Sequence, residues 1–142
     1  MKQLFCLLCI MALTTLGVAA QSPIGVWKTI DDETGQAKSH VEIYEKNGKL
    51  YGKVVKLLLK PADTVCEACK GAKKNKPVLG MVIIEDLVAE DGYWQDGEIL
   101  DPNNGSTYGC SVWFEDGQTN EMKLRGRHWT GLYRTQTWYR VK

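Results

Sequence analysis

The sequence lacks long segments with the 3.6-residue apolar period of an amphipathic helix, and it has no internal repeats or low-complexity segments. It also lacks a glycine-rich phosphate loop, a nucleophile elbow and a zinc-protease helix motif. Histidine is scarce, with 2 residues among 142. These absences argue against a helical or repeat fold and against the enzyme classes that the missing motifs mark. We therefore predict no catalytic residues, and we expect a binding or structural role before an enzymatic one.

Neither sign of charge is in excess. The full chain has 18 basic and 17 acidic residues, and without Lys2, in the first 20 residues, the two counts are equal at 17. A neutral chain has no overall field that would hold nucleic acid or an anionic membrane. The local exception is a basic cluster at Lys70, Lys73, Lys74 and Lys76. No apolar run beyond residue 20 is long enough to cross a bilayer, so we predict neither a nucleic-acid partner nor a membrane span.

The first 20 residues have the pattern of an export signal. Lys2 supplies a basic start, residues 4–16 are mostly apolar, and Val18-Ala19-Ala20 supplies small residues for cleavage. This pattern predicts a secretory signal peptide over residues 1–20, cleaved near Ala20. The remaining residues 21–142 are expected to form a single domain in the periplasm or outside the cell.

Short alternating segments dominate the rest of the chain. The clearest is the pair Val41 to Glu45 and Leu50 to Leu59, separated by Asn47-Gly48, which readily adopts the positive φ angles of a type I′ hairpin turn. Further apolar or alternating runs are separated by turns that contain Gly, Asn or Asp, and together they give about eight strands. The sequence therefore predicts an all-β antiparallel fold, either a barrel or a sandwich.

The last hairpin contains the candidate ligand-binding residues. In residues 132–141 the alternation places Arg134 and Gln136 on the same face as Trp138. If Trp138 points inward, these polar groups must be satisfied by protein partners, water or a ligand. A structural hydrogen-bond network is the favoured interpretation, and a ligand site is the alternative. Arg125, on the preceding strand of the hairpin, is included in the candidate ligand site.

Four motifs occur in one order along the chain. They are Cys66-Glu67-Ala68-Cys69 before Pro77 and Gly80, Asp101-Pro102-Asn103-Asn104-Gly105 with Tyr108, Leu124-Arg125-Gly126, and Arg134-Thr135-Gln136-Thr137-Trp138. This order resembles the family of exported bacterial proteins known as domain of unknown function 2147. The resemblance implies a small β-rich exported domain. Because the family has no established activity, it supplies no catalytic residues to transfer.

A second resemblance concerns the start of the predicted domain. Gly25-x-Trp27 is similar to the lipocalin and calycin pattern, in which a first-strand Trp closes one barrel end beneath a late Arg. This similarity favours an up-and-down barrel over a sandwich. Arg134 and Arg140 are about 20 Å apart along a strand, so only one can cover the indole. We predict Arg140, because its neighbours are more apolar and the last strand must meet the first there.

The cysteines allow several interpretations. In an exported protein, Cys66 and Cys69 most simply form a disulfide within a loop. A redox pair would need the first cysteine at a helix start, and zinc would need further ligands, for which Cys110, His40 and His128 are the candidates. We favour the disulfide and predict neither a metal site nor a cofactor. Cys110 alternates with large apolar residues and is expected to be a buried free thiol.

The sequence thus favours a non-enzymatic barrel that binds a small or lipidic ligand or a component of the cell envelope. The first alternative is a thiol–disulfide redox protein that uses Cys66 and Cys69. The second is a structural interaction module, which an exposed apolar patch would indicate. The sequence gives no prediction of the oligomeric state.

Overall fold

The computed structural model describes residues 20–142, and the predicted signal peptide lies almost entirely outside these residues. The described chain contains one short 3₁₀ helix (Gly71–Lys73) and eight β-strands. The strands are β1 (Gly25–Ile30), β2 (Ala37–Lys46), β3 (Lys49–Leu57), β4 (Val82–Glu90), β5 (Tyr93–Asp101), β6 (Ser106–Trp113), β7 (Glu121–Arg127) and β8 (Tyr133–Arg140).

Each strand pairs antiparallel with the next, and β8 returns to pair with β1, so the sheet forms a closed barrel. The closing pairs are Trp27 with Arg140 and Lys28 with Tyr139. Closure removes the free strand edges that would otherwise be available for aggregation. The predicted all-β antiparallel up-and-down barrel of eight strands is confirmed.

The β2–β3 hairpin has the predicted turn. Asn47 has a φ of 53° and Gly48 a φ of 78°, as a type I′ turn requires. The predicted end of β3 at Leu59 is wrong, because the strand ends at Leu57. Leu58 and Leu59 instead begin a long loop and are exposed there. The apolar pattern extends two residues beyond the strand, because Leu58 and Leu59 are apolar residues of the loop that follows it.

The barrel interior is packed with side chains at the end where β1 begins. We call this region the packed half, and its most deeply buried side chains are Trp27, Val41, Ile43, Ile84, Leu87, Val112 and Met122. Packing is tight enough to require a glycine at position 97. A Cβ atom there would lie 2.7 Å from Leu87 Cδ2 and 2.8 Å from the Glu85 carbonyl oxygen.

Trp27 and Arg140 close the packed half. The Arg140 guanidinium lies 4.3 Å from the centre of the Trp27 ring. Its nitrogens donate hydrogen bonds to the carbonyl oxygens of Thr119, Ile24 and Ser22. The Trp27 indole N–H donates to the carbonyl oxygen of Pro23, at 2.7 Å. The segment before β1 is therefore bound across this end of the barrel by one tryptophan and one arginine.

The opposite end carries the longest connection, residues 58–81 between β3 and β4. Cys66 and Cys69 form a disulfide in this loop, and Val65 pairs with Pro77 as an isolated bridge. The loop packs on the β5–β6 turn at Gly105, where a Cβ atom would lie 2.0 Å from the Ala68 carbonyl oxygen. This close contact between two backbones leaves no room for a side chain at position 105. It holds the loop against the β5–β6 turn at this end of the barrel.

Candidate functional site

The upper part of the barrel interior is a cavity of about 810 Å³ that opens to solvent between the loops. We call it the open cavity. Its apolar wall includes Val54, Leu57, Val78, Ile99, Leu124 and Trp138. Trp138 is 2% exposed and pairs across the sheet with buried Met122, so it lies where the cavity meets the packed half. The barrel therefore has an empty half above a filled one.

Small residues leave the space open. Gly126 on β7 lines the cavity, and a Cβ atom there would make only ordinary contacts, 3.6 Å from Tyr108 Cβ and 3.9 Å from Ile99 Cγ2. On another part of the wall, Thr29 and Ser39 are buried, and their hydroxyl oxygens are hydrogen-bonded at 2.8 Å. Because the two hydroxyls satisfy each other, they contribute little unpaired polarity to the cavity.

A line of hydrogen bonds runs from the cavity wall to its mouth. The Trp138 indole N–H donates to Gln136 Oε1 at 3.1 Å, and Gln136 Nε2 donates to Asp32 Oδ2 at 2.6 Å. Arg134 Nη1 donates to the same carboxylate oxygen at 3.2 Å. Each polar group in this line has a protein partner. Over residues 20–142, no buried side-chain nitrogen or oxygen lacks one.

The structure brings three of the predicted ligand-site residues together at the cavity, namely Arg134, Gln136 and Trp138. It does not bring Arg125 to them, and a ligand-binding role for Arg125 stays a prediction. Leu124 and Gly126 face the cavity, so alternation places Arg125 on the outer wall. There its guanidinium lies 4.2 Å from the centre of the Tyr133 ring, and its Nε donates to Thr135 Oγ1.

Sequence reasoning missed Asp32, which accepts hydrogen bonds from both Arg134 and Gln136. The residue lies in the turn between β1 and β2, about 100 positions earlier in the chain. Alternation within β8 identifies the polar face but cannot identify a partner from another loop. The role of Gly126 in keeping the cavity open was missed for a similar reason, since it depends on which side chains lie opposite.

The two halves of the Arg134–Asp32 ion pair differ in exposure. The Arg134 side chain is 75% exposed and the Asp32 side chain 38% exposed. An ion pair at such a position contributes little to stability, about 0–1 kcal/mol, because water screens it. It does place one cation and one anion at the mouth of an apolar cavity. A polar ligand group can therefore exchange with either partner at small cost.

The disulfide does not have the environment of a redox pair. Cys66 and Cys69 are 1% and 2% exposed, so an attacking thiolate has no access to the sulfurs. Cys66 precedes an irregular turn, with no helix start to stabilise a thiolate. Cys110 is a free thiol among the described residues, and burial raises its pKa to about 12. These environments favour structural roles for all three cysteines.

The described residues contain no group of three or more His, Cys, Asp or Glu side chains arranged to hold a metal ion. Between residues 20 and 142 there is likewise no helix that is long and apolar enough to cross a membrane. The charged residues that line the cavity include Lys38, Lys60, Asp101 and the Arg134–Asp32 pair. Both signs of charge are present there, which suits a ligand with a polar end rather than a strongly charged polymer.

A bacterial family model, described as "Uncharacterized protein conserved in bacteria (DUF2147)", matches residues 25–140, which are the eight strands and their connections. The chain belongs to this family. The recognition made from the four motifs is thereby confirmed. No curated protein matches the sequence.

Among solved structures, the barrel is similar to protein HP1028 from the human pathogen Helicobacter pylori, which is described as belonging to the lipocalin family. The TM-score is 0.74, the sequences are 20% identical, and the match covers 87% of this chain and 85% of that protein. At this identity the likeness concerns the fold. The lipocalin-like architecture expected from Gly25-x-Trp27 is therefore confirmed as a fold.

Proposed function

We propose that the protein binds a small amphipathic, lipidic molecule in the open cavity, with its apolar part inside and its polar end at the Arg134–Asp32 pair. The observation that carries the proposal is the cavity itself. Its volume of about 810 Å³ lies within the range of about 300–1,000 Å³ that is typical of small-molecule sites. Its exposed wall is mainly apolar, with aliphatic side chains, Tyr108, Tyr133 and Trp138, and the lining also includes the Arg134–Asp32 pair.

The packed half supports one orientation for the ligand. Trp27 and Arg140 close the far end of the barrel, and the interior between them and Trp138 is filled. An apolar group gains about 25 cal/mol for each Å² removed from water, whereas a charged group that entered the cavity would lose its hydration. The ligand therefore enters from the open end with its apolar part first, and its polar end stays beside Arg134 and Gln136.

The proposal includes a location for the protein. The basic start, the apolar segment and the small residues before Ala20 support export and cleavage there, which would place the barrel in the periplasm or outside the cell. A disulfide at Cys66 and Cys69 is consistent with an oxidising compartment. Envelope lipids and their breakdown products are the lipidic molecules available in that space.

The test is a binding screen of the purified protein against fatty acids, lysophospholipids and phospholipids, read by native mass spectrometry and by thermal shift. The decisive variant is Gly126→Phe, which puts a ring into the cavity from a backbone that tolerates a Cβ atom. The matched control is Gly109→Phe. Gly109 lies on the adjacent strand, is exposed and does not line the cavity.

We expect wild type and the Gly109→Phe variant to bind the same lipid, and the Gly126→Phe variant to lose it while remaining folded. Equal binding by all three proteins would place the lipid outside the cavity and would contradict the proposal. Failure of every lipid class to bind or to raise the melting temperature would contradict it as well. A role in thiol exchange is tested separately in an insulin-reduction assay, in which we expect no difference between wild type and the Cys66→Ser variant.

A further inference from the structure

Exposed apolar side chains are concentrated at the open end of the barrel. Of the twelve large apolar side chains that are exposed in the described chain, seven lie in two segments, residues 58–81 and 127–134. They are Leu58, Leu59, Val65, Leu79, Trp129, Leu132 and Tyr133. We call these two segments the rim. Trp129 is 89% exposed and Leu132 is 75% exposed, and both lie in the β7–β8 loop with little cover.

Positive charge is concentrated in the same two segments. The rim contains seven Lys and Arg residues, which are Lys60, Lys70, Lys73, Lys74, Lys76, Arg127 and Arg134. It contains two acidic residues, Asp63 and Glu67. The β1–β2 turn also lies beside the cavity mouth, and it is acidic, with Asp31, Asp32 and Glu33. No large apolar side chain is exposed in this turn. Apolar exposure and positive charge therefore occur together on one side of the mouth.

The two rim segments lie side by side. Lys70 and Lys73 share a surface groove of about 460 Å³ with His128 and Trp129 from the other segment. Glu85 and Glu98 also line this groove, and Lys73 forms an ion pair with Glu85 at 3.6 Å. Leu59 and Leu132 also line the open cavity, one from each segment. The apolar and basic surface is thus continuous with the entrance to the proposed binding site.

We propose that the rim docks on an anionic lipid surface, with Trp129 and Leu132 inserted among the headgroups and the lysines held against the lipid phosphates. Tryptophan is favoured at the boundary between headgroups and acyl chains. Basic residues beside an anionic surface add attraction over a range of about one Debye length. This inference rests on the proposed function, because docking would place the mouth of the lipid-binding cavity where a lipid can leave the bilayer.

Charge favours a lipid surface over a second copy of the chain. A symmetric dimer through the rim would place the lysines of both copies close together, and like charges that face each other across an interface oppose association. Anionic phosphates complement the same surface. The chain outside the rim carries the compensating acidic residues, so the protein approaches such a surface with the rim first.

The test is co-sedimentation of the purified protein with vesicles of phosphatidylcholine alone and of phosphatidylcholine with phosphatidylglycerol. We expect binding to the mixed vesicles that weakens as salt increases. Lys70→Gln with Lys76→Gln should lower the partition coefficient by about tenfold or more, since each basic residue near such a surface contributes about fivefold. Both side chains are exposed, and the substitutions leave the disulfide untouched.

A second variant tests insertion. Trp129→Ser with Leu132→Ser should reduce binding to the mixed vesicles and remove the blue shift of tryptophan fluorescence on binding. Matched controls at the opposite end are Lys46→Gln with Lys142→Gln for charge, and Ile24→Ser with Val141→Ser for exposed apolar residues. We expect both controls to bind vesicles as wild type does.

No binding to the mixed vesicles, or binding that the rim variants leave unchanged, would overturn the proposal. A concentration-dependent dimer that the Trp129→Ser, Leu132→Ser variant abolishes, without vesicle binding by wild type, would also overturn it and would identify the rim as an interface between copies. The Gly126→Phe variant separates the two proposals, because it should lose the lipid ligand and keep vesicle binding. Lipid binding without vesicle docking would leave the proposed function standing and remove this inference.

Discussion

The packed half and the open cavity are built from the same eight strands, yet one is filled with side chains and the other is empty. In the packed half, large side chains fill the barrel interior, and a glycine is needed where a Cβ atom would collide with the Leu87 side chain and the Glu85 carbonyl oxygen. Around the open cavity the wall is also apolar, but the axis is empty, and one wall residue is a glycine at which a Cβ atom would make only ordinary contacts. Stability is thus concentrated in one half, and space for a ligand in the other.

Gly97 and Gly126 illustrate the difference. Both lie within strands and face the barrel interior, and both pair with Cys110, which lies between them on β6. A methyl group on Gly97 would overlap Leu87, whereas a methyl group on Gly126 would find ordinary contacts. Glycine therefore permits close packing of side chains at position 97 and leaves room in the cavity at position 126.

The largest effect is expected in the packed half. Trp27→Ala should lower the free energy of unfolding by about 3–5 kcal/mol, as large core truncations do, because the indole is fully buried and anchors the segment before β1. Arg140→Ala should cost less, since its guanidinium is partly solvated. Chemical denaturation of both variants checks this order. A Trp27→Ala protein with the wild-type midpoint would mean that this end of the barrel is not where stability is concentrated.

The boundary between the halves can be probed at Cys110. Burial raises the pKa of its thiol to about 12, from an ordinary value of 9.0. At neutral pH the thiolate fraction is then about 1,000-fold lower than for an exposed cysteine, and thiol reagents react with the thiolate. We expect alkylation of Cys110 to be suppressed to at least that extent in the folded protein and restored in denaturant. Rapid labelling of the native protein would show that the open cavity extends further down than the structure indicates.

The two glycines give a direct comparison by one substitution. Gly97→Ala should destabilise the protein by about 1–3 kcal/mol, because the added methyl group overpacks a filled interior. Gly126→Ala should be neutral or should stabilise by about 0.4–1 kcal/mol, through lower entropy of the unfolded chain. Thermal and urea unfolding of the two variants measure the difference. Equal destabilisation by both would mean that the cavity beside Gly126 is closed in solution.

The smallest effect is expected at His40, on the outer face of the barrel and outside both the packed half and the open cavity. Burial and the nearby charges of Lys56 and Lys28 lower the pKa of His40. The folded protein therefore binds fewer protons at this site than the unfolded chain, and stability should fall as pH drops below about 6.5, the ordinary histidine pKa. His40→Gln should flatten this dependence in urea titrations from pH 7 to 5. An unchanged slope would assign the pH dependence to another group.

The sequence predicted the strands, their order and the closed end, because these depend on local alternation, on Asn47-Gly48 and on the meeting of first and last strands. It predicted the inward face of β8 for the same reason. It could have excluded Arg125 from the interior, since the neighbouring Leu124 sets the alternation. It could not show the open cavity, because an empty space depends on what every strand contributes at one height. The hydrogen bond between Asp32 and Arg134 could not be predicted either, since a turn residue and a strand residue far apart in sequence meet only in the folded barrel.

Methyl NMR tests the division of the barrel into a packed half and an open cavity most directly. The protein is titrated with dodecanoate below the micelle concentration of this fatty acid. We expect saturable shifts for methyl groups on the cavity wall, at Val54, Ile99 and Leu124, and none for Val41, Ile43 and Val112 in the packed half. In the Gly126→Phe variant the shifts should disappear. Shifts confined to the packed half, or no shift at any interior methyl group while dodecanoate still binds, would contradict the account.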